Sequence, residues 1–148
     1  MRNWIDLPPV WLALFLALTW AVGQVVPVRL FGGPGAFLGA ALVAAGLFLM
    51  AWAAVVMMRA RTTVIPHRNP SALVTGGPFR LSRNPIYLAD ATILAGAALW
   101  WDAAPALLLV PVFMSLISRR FIRAEEDRLA RAFGPAWEAW ALKTRRWI

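Results

Sequence analysis

Gly35–Met58 is a run of 24 residues without a charged side chain. A helix of that length is about 36 Å long, more than the roughly 30 Å hydrocarbon core of a bilayer. Backbone amides and carbonyls in lipid have no water to bond, so such a segment must satisfy them internally, as a helix. Val10–Val28 repeats the pattern, with Gln24 as its one strongly polar residue. Pro85–Trp101 and Ala103–Ser118 are shorter, at 17 and 16 residues. They read as a helical hairpin turning at Trp101-Asp102-Ala103-Ala104-Pro105, and must stand nearly upright or lean on partner helices and flanking anchors. No segment alternates with the period of two that a transmembrane barrel requires. The expected fold is all-α: an integral membrane helical bundle of about four transmembrane helices, near 10–28, 35–58, 85–101 and 103–118. Residues 1–148 read as one domain. The first segment is taken as a retained span rather than a signal peptide, because a second span follows closely.

The net charge of +8 would suggest nucleic acid in a soluble domain. Here the basic residues flank the apolar runs, and no nucleic-acid partner is expected. If the N-terminus is cytosolic, so are the loop 59–84 and the tail 119–148. Those three regions then hold fourteen of the fifteen Lys and Arg residues, leaving only Arg29 across the membrane. That is a strong positive-inside bias. It places both termini and the loop in the cytosol, and the expected location is a bacterial inner membrane. Trp4, Trp11, Trp100, Trp101, Trp137, Trp140 and Trp147 fall near span ends or the surface, where amphipathic rings settle. There is no cysteine and one histidine, His67, so thiolate chemistry is excluded and no metal site is expected.

The polar loop ends at Asn84-Pro85, a good helix start: Asn is a favoured N-cap and Pro fits the first helical position. The third helix then presents unpaired amides and its positive dipole end to the cytosol, beside Arg83, where an anion is favoured. Thr75-Gly76-Gly77-Pro78 can turn tightly and let a ligand approach the backbone. A plain capped helix with snorkelling arginines fits the same residues. Glu125-Glu126-Asp127 has arginines at helical spacing (Arg123–Glu126, Glu125–Arg128, Asp127–Arg131), which reads either as surface ion pairs or as a site for a cationic group. Asp90 lies one turn beyond Tyr87 inside the third span, where an acid is a functional candidate, although a helix N-terminus also tolerates it. His67 is either a solvated loop residue or a general base. Ser118–Phe133 should continue the fourth helix out of the membrane until Gly134-Pro135 breaks it. Pro135–Lys143 reads as a short helix with Trp137, Trp140 and Ala141 on one face, suited to the interface.

Several of these runs, in this order, resemble the isoprenylcysteine carboxyl methyltransferase and phospholipid methyltransferase superfamily of membrane enzymes. They are Thr63-Val-Ile-Pro66, Leu73-Val-Thr-Gly-Gly-Pro-Phe79, Arg83-Asn-Pro-Ile-Tyr87, Glu125-Glu126, Phe133-Gly134 and Arg146-Trp147-Ile148. The resemblance implies S-adenosylmethionine as methyl donor, S-adenosylhomocysteine as product, and a lipid acceptor arriving from the bilayer. The loop, with Leu73, Val74, Gly76, Gly77, Pro78 and Phe79, would hold the adenosine. Arg83, Asn84 and Tyr87 would hold the methionine end. Glu125 would hold the cofactor or order the site, and Glu126 would lie nearer the acceptor. Many relatives carry His at the position of Asn84, which cannot exchange a proton, and often Gly at that of Ala89.

Methyl transfer from a sulfonium is an in-line displacement that needs alignment and exclusion of water. An acceptor of the phosphatidylethanolamine type must first lose a proton, to Glu126, Glu125 or His67. Arg119, Arg120 and Arg123 would bind its phosphate. Carboxyl methylation of an isoprenylcysteine-like or other lipophilic acceptor is the alternative within this chemistry. Outside it stand a small transporter, a scaffold protein and a membrane reductase.

Overall fold

The computed structural model describes residues 6–65 and 68–148, so His67 and Trp4 lie outside the described residues. All regular structure in it is helical. Helix α1 is Pro8–Val25 and α2 is Gly32–Arg59. After a long loop come α3, Pro85–Trp100, then α4, Leu109–Ile117, and α5, Arg123–Phe133. The last helix, α6, is Pro135–Lys143. A 3₁₀ segment, Ala104–Leu108, precedes α4, and a π-helical turn, Ser118–Ile122, joins α4 to α5. Together they make one rod, Ala104–Phe133, of 30 residues. This rod, α1 and α2 are each long and apolar enough to cross a membrane. The chain therefore folds as a membrane helical bundle, with α3 as its fourth, shorter apolar helix.

Helix α3 is the shortest of the four and the central one. Ten of its 16 residues are buried, and it packs on α1, α2 and α4. Helix α2 is the opposite case. Of its 28 residues only Gly35, Gly39, Gly46 and Ala53 are buried, all on one helical face, while Phe37 and Phe48 point outward. In lipid no hydrophobic force pulls helices together, so close contact depends on small residues that let backbones approach. A Cβ on Gly39 would lie 2.5 Å from both the Gly96 carbonyl oxygen and the Trp100 nitrogen. A Cβ on Gly46 would lie 2.9 Å from the Ala89 carbonyl oxygen. Between α1, α3 and the rod sits the main side-chain core, with Phe15, Leu94, Phe113 and Ile117, and an edge-to-face contact of Phe15 on Phe113 at 5.2 Å.

At the end of the bundle away from Asn84, Asp102 caps α2 from a distant turn. Its carboxylate accepts hydrogen bonds from the backbone N–H groups of Phe31 (2.9 Å), Leu30 (3.0 Å) and Gly32 (3.1 Å). Asp102 has φ +50°, a left-handed conformation that aspartate tolerates better than most residues. The amide bonds, that of Phe31 foremost, favour the charged form and hold the carboxyl below its ordinary value. The cap is therefore complete above the unfolded-state pKa of about 3.9 and is lost as pH falls through the lower folded value. Asp102→Ala is expected to lower the melting temperature at pH 7. The gap to wild type should close in acid, as circular-dichroism melts in detergent from pH 7 to 3 can show.

Candidate active site

The loop between α2 and α3 folds back over the Asn84 end of the bundle. Gly77 has φ +59°, and its open face lies against Val56 and Trp52 of α2, so the glycine both turns the chain and seats it on α2. A 3₁₀ turn, Gly77–Arg80, follows, with Pro78 and Phe79 buried. The chain then enters α3 at Pro85. Asn84 occupies the N-cap position, but its side chain does not cap the helix. Instead its Nδ2 donates to the Arg146 carbonyl oxygen at 3.0 Å. Ser82 Oγ donates to the same oxygen at 3.2 Å, and the Arg83 N–H donates to the Arg145 carbonyl oxygen at 2.9 Å. These bonds latch the C-terminal residues to the start of α3. Trp147 Nε1 adds a bond to Ser118 Oγ, in the π turn, at 3.2 Å.

Beneath the loop is a cavity of about 410 Å³. Leu73, Val74, Phe79, Arg83, Asn84 and Tyr87 line it, together with Asp90 and Glu125. Its other walls are apolar: Met50, Ala54 and Met57 of α2, and Pro8 and Pro9 of α1. Trp140 closes it from α6. Thus the aromatic face of α6 turns inward, and the Arg83 guanidinium sits 5.9 Å from the centre of the Trp137 ring. Two buried donors here, Arg83 Nε and Trp140 Nε1, have no hydrogen-bond partner among the described residues.

The two glutamates part company. Glu125 faces the cavity and accepts a 2.7 Å hydrogen bond from the Tyr87 hydroxyl. Glu126 is buried behind the cavity wall, clamped by Arg83 Nη2 at 3.1 Å and by Arg146, whose Nε and Nη2 lie 3.1 and 2.5 Å away. Successive helical residues point about 100° apart, so the two carboxylates leave α5 in different directions. Glu126, expected nearer the acceptor, does not line the cavity, and among the described residues its ion pairs are with Arg83 and Arg146 rather than Arg123. The π turn just before these residues holds extra chain per turn and so rotates all of α5 relative to α4.

Other candidates also fall differently from the sequence reading. Gly76, Gly77 and Pro78 do not line the cavity; they shape the turn that places Phe79 there. Arg119 and Arg120 line a separate open groove with Trp11, Val112 and Leu116. Arg120 is held by Asp6 at 2.6 Å, and Arg123 lines neither space. The arginines that do reach the main cavity are Arg68, Arg83 and Arg128. For Arg128 the only sequence signal was its i,i+3 spacing from Glu125. For Trp140 it was the aromatic spacing on α6. Arg146 as a clamp had none beyond its place in the terminal run.

A family model described as phospholipid methyltransferase matches residues 35–136, which span the α2 stripe, the loop, α3, both glutamates and the Gly134 break. No curated protein and no solved structure matches the chain. With more than two thirds of its length covered, the chain belongs to the phospholipid methyltransferase family.

Proposed function

We propose that this protein transfers a methyl group from S-adenosylmethionine to a membrane lipid, and that the acceptor is the amine of a phosphatidylethanolamine-type phospholipid. The observation that carries this reading is the composition of the cavity walls. On one side stand a polar loop and two carboxylates, and on the other the apolar faces of α1 and α2. Such a space can take a polar donor and a lipid together.

The residues fit the donor. Leu73, Val74 and Phe79 offer an apolar wall to an adenosine. The unpaired Arg83 Nε and Trp140 Nε1 suit a carboxylate. Glu125 suits the positive charge beside it, and its bond from Tyr87 fixes its orientation. When bound, S-adenosylmethionine supplies an electrophilic methyl on a positively charged sulfur. The chain itself orients the reactants, and the latch of Asn84 and Ser82 on Arg146 holds the C-terminal residues beside the start of α3. Arg68 and Arg128, rather than Arg119, Arg120 or Arg123, reach far enough to take a headgroup phosphate. Two carboxylates on the cavity favour an amine over a carboxyl acceptor, which they would repel. The whole of 1–148 acts as one domain in this reading, since the latch joins the last residues to the site. The fourteen-to-one bias of basic residues supports a site on the cytosolic face, and a bacterial inner membrane is the location this reading proposes.

Titration of the detergent-purified protein with S-adenosylhomocysteine tests the donor. Saturable binding is expected, weakened about tenfold in Tyr87→Phe, the usual scale for losing a hydrogen bond to a charged group. A folded wild-type protein that binds none would overturn the reading. Methylation of a carboxyl lipid, with none of phosphatidylethanolamine, would overturn the choice of acceptor.

A further inference from the structure

We infer that Asp90 receives the amine of the acceptor and takes its proton before methyl transfer; this rests on the function proposed above. Asp90 lies six residues past Asn84 on α3, about 9 Å deeper into the bundle, and it lines the cavity. It is 3% exposed. Among the described residues it has neither a hydrogen bond nor an ion pair. A buried carboxylate left unpaired is costly, and an acid within a span is commonly kept for a ligand or a proton. Glu125 differs, because the Tyr87 hydroxyl already occupies it. Glu126 is consumed by its two arginines. Asp90 is thus the one of the three carboxylates with its hydrogen-bonding capacity entirely unspent, in a cavity whose α1 and α2 lining is apolar.

The charged and titratable groups sharing the cavity are Tyr87 from the same helix, Glu125 and Arg128 from α5, and Arg68 and Arg83 from the loop. Helices α1 and α2 contribute only apolar lining there. An unpaired anion in that position selects a cation, which an ammonium headgroup is and a carboxylate is not. The proton of the ammonium passes to an Asp90 carboxylate oxygen and leaves the nitrogen with a free electron pair. That pair forms the new bond to the methyl carbon while the carbon–sulfur bond breaks, and its electrons remain on sulfur. The positive charge ends on the methylated nitrogen. Asp90 then returns its proton to water, so one proton is released per methyl transferred.

Asp90→Asn keeps the shape and removes the charge. Its S-adenosylhomocysteine affinity should stay within about threefold of wild type, while turnover of phosphatidylethanolamine at pH 7 falls at least a hundredfold, the usual scale for losing a general base. The deficit should shrink as pH rises toward about 10, where a simple amine loses its proton unaided. Asp90→Glu should retain part of the turnover, and it serves as the test if the Asn variant does not fold. A quaternary ammonium lipid, which has no proton to give, should bind wild type more tightly than Asp90→Asn. Normal turnover in Asp90→Asn, a deficit that does not change with pH, or equal losses of turnover and S-adenosylhomocysteine affinity would each overturn this inference alone. A wild-type protein without S-adenosylhomocysteine binding overturns the proposed function and this inference with it.

Discussion

Glu126→Ala is expected to cost about 3 kcal/mol of stability and to weaken S-adenosylhomocysteine binding at least tenfold, although Glu126 does not line the cavity. Removing one member of a buried ion pair leaves its partners charged and uncompensated, which costs about 3–5 kcal/mol. The lower end applies here because the Arg146 side chain is 35% exposed and partly screened. The change releases Arg83 Nη2, whose Nε is already unpaired, and it loosens the Arg146 side of the latch. Glu126→Gln should lie between, since the amide can still accept from one arginine. Thermal melts and calorimetry on the same detergent preparations separate the two effects. If Glu126→Ala melts and binds like wild type, the clamp has no role in holding the site.

Gly39→Ala is expected to be more damaging than its single methyl suggests. The new Cβ would meet the Gly96 carbonyl oxygen and the Trp100 nitrogen at 2.5 Å. Both are backbone atoms of α3, so no side chain can rotate away and the helices must part. Overpacking a tight interior costs about 1–3 kcal/mol, and backbone against backbone belongs at the top of that range. Gly33→Ala is the control. Nothing lies within 4 Å of its Cβ position and its φ is not positive, so the lost chain freedom in the unfolded state should make it neutral or slightly stabilising. Similar melting temperatures for the two variants would show that the small-residue stripe does not set the distance between α2 and α3.

How much of this was readable beforehand depends on the range of the interaction. Helix α6 runs from Pro135 to Lys143, as the sequence indicates, because its start is local: Gly134 takes φ +48° and proline fits the first helical position. The start of α3 at Pro85 is legible for the same reason. Helix α1 ends at Val25 rather than 28; Pro27 disfavours helical geometry in the residue before it, a signal that the apolar run conceals. Helix α2 begins at Gly32 rather than 35, because Asp102 caps it from 70 residues away, and no window of sequence contains both.

The same division runs through the site. Leu73, Val74, Phe79, Arg83, Asn84, Tyr87 and Glu125 are the residues marked by the runs that resemble the family, and all of them line one cavity. The amino-acid order also determined that the chain is a bundle of membrane helices, since apolar length and the need to satisfy the backbone in lipid leave no other choice. Only the tertiary structure decided which carboxylate faces the cavity and which is locked away. Glu125 and Glu126 are identical in type and adjacent in sequence. Their fates follow from the rotation of α5 after the π turn and from partners 38 and 20 residues distant. Electrostatic pairing depends on where charges meet in space, and that is fixed by how helices pack, not by the order in which residues are written.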